Sequence, residues 1–118
     1  MKYAIMEWKR RRYMAVTESY LMSVMHRMNT LEDVFSDFRD GICMIFYQEK
    51  RIGCVYDDKF YFLAVPKAKE LFPESEQLVP VEGTEMMIEV PESLEGDALA
   101  EAVKTIYPEC PMGGMLWL

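Results

Sequence analysis

Three cysteines, one histidine and a pair of adjacent aspartates are the side chains here whose types could carry chemistry. Cys43, Cys54 and Cys110 form no C-x-x-C pair, so neither a zinc ribbon nor a thioredoxin-like dithiol is encoded. A nucleophilic thiol needs a base or a positive neighbour to become a thiolate. Cys43 and Cys54 lie instead inside apolar runs, where burial makes sulfur inert. Pairing across a turn at Glu49–Lys50 sets Gln48 opposite Arg51 and Ile45 opposite Cys54, with Cys43 diagonal on the same sheet face. Cys110 sits between Glu109 and Pro111 and reads as exposed, without a basic neighbour to activate it.

His26, the only histidine, falls at the margin of a helical apolar stripe, with no nucleophile or carboxylate beside it in sequence. Asp57–Asp58 reads as a polar hairpin turn before it reads as a cation site. Gly113–Gly114 has no strand before it and no helix after it, so it is not a phosphate loop. Gly53, inside a strand, marks a bulge or a close backbone approach. The sequence therefore predicts no catalytic residue, no cofactor and no metal.

Charge narrows the partners. The 118 residues carry 13 Lys+Arg and 20 Asp+Glu, a net −7. Residues 1–13 hold five of the bases, with Lys9, Arg10, Arg11 and Arg12 consecutive, and one acid. The rest is strongly acidic and repels phosphate backbones, so direct nucleic-acid binding is unexpected outside this basic arm. The arm is a candidate anion contact, although a solvated arm is the simpler reading. Three cysteines without a secretory signal point to reduced thiols in the cytoplasm. No apolar run approaches the length of a membrane span. These shifts divide the chain into a basic extension (1–13), a domain (14–111) and an apolar tail (112–118).

The elements that would position these residues follow from periodicity. Thr17 caps a helix to about Thr30, with Leu21, Val24, Met25 and Met28 on one stripe. Three β-rich runs, 42–48, 51–56 and 59–65, are joined by two-residue turns into an antiparallel meander. Pro66 starts a short helix stopped by Pro73. Residues 78–81 and 84–90 read as strands, the first edge-like because of Pro80. A last helix runs from Gly96 or Asp97 to Pro108. The result is an α+β protein in the order α-β-β-β-α-β-β-α, with a five-stranded antiparallel sheet and helices packed on one face.

The first and third strands are apolar on both sides, so the helices leave one sheet face bare. Phe60, Phe62, Met44 and Phe46, with Leu116 and Trp117 of the tail, form the candidate interaction surface, and a homodimer is the expected consequence. Eleven methionines fill the core or, on the sharper reading, line a partner groove.

The series FYQEKRIGCVYDDKFYFLAVPKAKELFP, VPVEGTEMMIEV and LAEAVKTIYPECP resembles the TfoX N-terminal-like family over residues 18–111. Asp57–Asp58, Pro66, Ala68, Glu82–Gly83 and Met86 are the points that carry the resemblance. It implies a fold similar to that of type III secretion chaperones and a role in regulation, as in competence, rather than catalysis. It implies no catalytic residues. The chain departs from the pattern at residues 36–41, where Gly41 is kept without the family's methionine, and at its GGMLWL end. The leading expectation is a non-enzymatic, cytoplasmic regulatory or protein-interaction module with an unidentified protein partner. The alternatives are a nucleic-acid-associated regulator using the basic arm and a small cysteine-dependent enzyme or redox sensor.

Overall fold

The computed structural model describes residues 17–39 and 41–112. Helix α1 (Glu18–Arg27) is capped by Thr17, whose hydroxyl accepts the Tyr20 N–H, and ends at Met28. Six strands follow in one sheet: β1 (Val34–Arg39), β2 (Ile42–Tyr47), β3 (Lys50–Tyr56), β4 (Lys59–Leu63), β5 (Gln77–Leu78) and β6 (Met87–Glu89). Helix α2 (Pro66–Leu71) lies between β4 and β5, and α3 (Gly96–Ile106) closes the order before a 3₁₀ turn at Tyr107–Glu109. Every pairing is antiparallel, in the spatial order β1-β2-β3-β4-β6-β5.

The α+β class and the antiparallel sheet are as the sequence predicts, but the described residues form six strands. The added strand, β1, precedes the expected meander. Its six residues Val-Phe-Ser-Asp-Phe-Arg alternate poorly because Ser36 and Asp37 interrupt the apolar positions. Pairing along the whole of β2, from Val34↔Tyr47 to Arg39↔Ile42, is what holds it extended.

The turn after β2 is Gln48–Glu49, one residue earlier than expected, with Gln48 at φ +56°. Ile45 pairs with Gly53 and Phe46 with Arg51, so Ile52 is an extra residue, a β-bulge. Gly53 is required beside it: a Cβ there would lie 1.8 Å from the Tyr61 carbonyl oxygen.

Two apolar clusters fill the two faces. Cys43, Ile45, Ile52, Val55, Phe60, Phe62, Ile88 and Val90 pack with Val24 of α1 and Met28 at its C-terminal cap, Ala68 of α2 and Leu99, Val103 and Ile106 of α3. The three described helices thus cover one face. Ile42, Met44, Phe46, Cys54, Tyr61, Leu63 and Met87 form the second cluster, with Tyr56, Val65, Leu78 and Val81 packed against it. None of these seven is more than 4% exposed. The bare second face expected from the sequence is therefore buried within the single chain.

Candidate functional site

The cysteines are kept apart. Met44, not Ile45, stands opposite Cys54, and Cys43 stands opposite Val55. This one-residue difference from the expected register reverses the face of every side chain it touches. Cys43 belongs to the helix-covered core and Cys54 to the other cluster, so the sheet separates them. Burial pushes the Cys54 thiol up to about 12, raises that of Cys43, and pushes that of Cys110 up to about 12. Cys54 Sγ donates to Met87 Sδ at 3.4 Å. Cys110 is 5% exposed, contrary to its expected exposure, because the 3₁₀ turn folds it onto α3, where Sγ donates to the Ile106 carbonyl at 3.3 Å. Such thiols are poor nucleophiles at neutral pH.

His26 is exposed on α1. Asp57 and Asp58 form the β3–β4 turn with φ of +54° and +50°, and the Asp58 carboxylate accepts the Thr17 N–H at 2.9 Å. The aspartates therefore build a turn and anchor the start of α1. Among the described residues no group of three or more His, Cys, Asp or Glu could hold a metal. No described helix is long and apolar enough to cross a membrane.

The four described residues of the expected interaction surface do not lie together on one exposed face. Phe60 and Phe62 are 1% and 0% exposed, beneath the helices; Met44 and Phe46 are 1% and 4% exposed, on the opposite face. The ladder Cys43↔Val55↔Phe60 against Met44↔Cys54↔Tyr61 is the reason the two pairs cannot share a surface. Leu116 and Trp117, like Lys9, Arg10, Arg11 and Arg12, lie outside the described residues.

An open groove of about 350 Å³ lies between the end of β4, the loop before β6 and the C-terminal 3₁₀ turn, lined by Leu63, Val65, Glu85, Met86, Glu109 and Pro111. Behind it the fully buried Arg51 guanidinium pairs with Glu85. Glu109 accepts the Lys67 N–H at 2.9 Å. Both carboxylates thus serve structural bonds, and the lining holds no nucleophile.

The exposed edge of the sheet is the more informative feature. Sheets end at strands whose outward N–H and C=O groups can template another chain. The β5 edge is two residues long and followed by Pro80, which blunts it. The β1 edge is six residues long, contains no proline, and carries Phe35 and Phe38 at 49% and 41% exposure. Phe35 stacks on Phe46, and Phe38 stands opposite Cys43 on the helix-covered side, so β1 offers one aromatic ring to each face. Among the described residues no strand pairs with its outer side. Sequence reasoning missed this edge because it missed the strand. The available signal was two phenylalanines three residues apart before Gly41.

Comparison of the chain with family models, curated proteins and solved structures gives no match.

Proposed function

We propose that the protein is a non-enzymatic regulatory or protein-interaction module that takes up an extended segment along β1. The observation that carries this reading is the contrast between the two sheet edges: one short and proline-blunted, the other long and aromatic. Strand addition at such an edge draws affinity from main-chain hydrogen bonds and selectivity from side chains on alternating faces. The raised thiols of Cys43, Cys54 and Cys110 weigh against the cysteine-enzyme reading. Three free, buried cysteines suit a reducing, cytoplasmic setting. The resemblance to TfoX N-terminal-like sequences gives the module its setting, competence or transcription regulation.

The test is affinity capture from an extract of the source cells. Wild-type protein is compared with a double variant, Phe35→Ser with Phe38→Ser. A protein retained by the wild type and lost by the folded variant is the expected result. Equal retention by both would remove β1 from the function.

A further inference from the structure

Resting on the reading of β1 as the docking edge, we infer that its occupant is a second copy of this chain, paired β1 to β1 in antiparallel fashion across a two-fold axis at Ser36.

The direction of the backbone groups supports this. The Gln48 N–H donates to the Asp33 carbonyl at 2.8 Å, and Asp33 and Gln48 continue the β1–β2 register by one pair. Hydrogen-bonded and non-hydrogen-bonded pairs alternate along an antiparallel ladder. The odd residues of β1 therefore bond to β2. The even ones, Val34, Ser36 and Phe38, turn their N–H and C=O groups outward. The two-residue connection between Arg39 and Ile42 independently sets the same phase, because it closes on a hydrogen-bonded pair.

The outward groups are symmetric about Ser36. A two-fold axis perpendicular to the sheet keeps each side chain on its own face, so facing residues must have the same parity. With the axis at Ser36, Val34 meets the partner's Phe38, Ser36 meets the partner's Ser36, and Phe38 meets the partner's Val34. All three outward N–H and all three outward C=O groups of each copy then find partners. Two aromatic–β-branched pairs, one at each end, lie on the helix-covered side.

Neighbouring registers do worse. An axis at Asp37 sets that carboxylate against the partner's Asp37, and an axis at Phe35 sets Asp33 against the partner's Asp37 at both ends. An axis at Val34 or Phe38 runs outward groups past the end of the strand. The Ser36 register places Asp37 opposite the partner's Phe35 and opposes no like charges.

Light scattering on the full chain over a wide concentration range provides the test. The mass should rise from 13.9 kDa toward twice that value. Ser36→Pro removes an outward N–H without touching the β1–β2 ladder, so it should stay folded by circular dichroism and remain a monomer throughout. Ser36→Cys brings two thiols together at the axis. With Cys43, whose thiol is hydrogen-bonded to Ser36, replaced by alanine and the other two native cysteines buried, mild oxidation should yield a reducible covalent dimer through position 36 alone. A wild type that stays monomeric throughout overturns the inference. So does a dimer that persists in folded Ser36→Pro, and so does a Ser36→Cys that fails to cross-link. If the chain is monomeric yet binds a captured protein in a Ser36→Pro-sensitive way, only self-pairing fails and the docking edge stands. If neither association nor capture depends on β1, both readings fall.

Discussion

The guanidinium of Arg51 is fully buried and paired with the carboxylate of Glu85, which is about half exposed. Arg51 lies at the start of β3, opposite Phe46, and its own N–H donates to the Pro111 carbonyl at 3.1 Å. A charge held this deep keeps the loop before β6 and the C-terminal segment in place around it.

Glu85→Ala removes a compensating charge from a buried cation. Discounted for the solvent that reaches Glu85, the loss should be about 1–2 kcal/mol. Arg51→Met, of similar volume and without charge to bury, should cost less or stabilise. Urea melts of both variants check the order. A harmless Glu85→Ala with a ruinous Arg51→Met would reverse this account.

The three thiols should resist alkylation in the native state and react once the chain is unfolded. They also impose an alkaline limit. Their folded values are raised by burial above the ordinary value of 9.0, to about 12 for Cys54 and Cys110. The unfolded chain therefore releases these protons first as pH rises. The stability they contribute is complete below about pH 9 and is lost progressively as pH rises toward 12, at up to about 1.4 kcal/mol per pH unit for the deeply buried Cys54. Cys54→Ala should flatten that fall while lowering stability near neutral pH through the cavity it leaves. Melts from pH 7 to about pH 11 read both effects.

Gly53→Ala should be among the most damaging small substitutions. The added methyl carbon meets main chain, the Tyr61 carbonyl oxygen and the Phe62 Cα, rather than a side chain able to swing away. A loss of about 2–4 kcal/mol is expected, consistent with overpacking against backbone. A loss below half a unit in a denaturant melt would mean that the bulge at Ile52 relaxes freely.

Asp57 and Asp58 both occupy left-handed backbone, a conformation unfavourable for residues with a Cβ. Asp57→Gly should relieve this and stabilise by roughly 0.5–1 kcal/mol. Asp58→Gly gains the same relief but loses the carboxylate that accepts from both Thr17 N–H and Thr17 Oγ1, so its net effect should be smaller or opposite in sign. Thermal melts of the two variants separate turn strain from the anchoring of α1.

Some of this architecture is legible residue by residue. The Thr17 cap, the Pro66 start of α2, the Asp57–Asp58 turn and the apolar stripe of α3 depend on local conformation and short-range spacing, and each lies where the sequence puts it. Strand β1 was not legible, because Ser36 and Asp37 disguise it and its extended form depends on pairing with β2. The Cys43–Cys54 relationship was misread because a turn displaced by one residue and the extra residue Ile52 are invisible to alternation.

The sequence alone therefore determined the class of protein: alternating and helical apolar patterns commit local backbone, and hairpin turns commit neighbouring strands to run antiparallel. Tertiary structure decided which groups meet. It set the register that parts the two cysteines, buried the second sheet face, and left β1 as a long edge that no described strand covers. Those outcomes depend on contacts between residues far apart in the chain, where one residue of slip exchanges inside for outside.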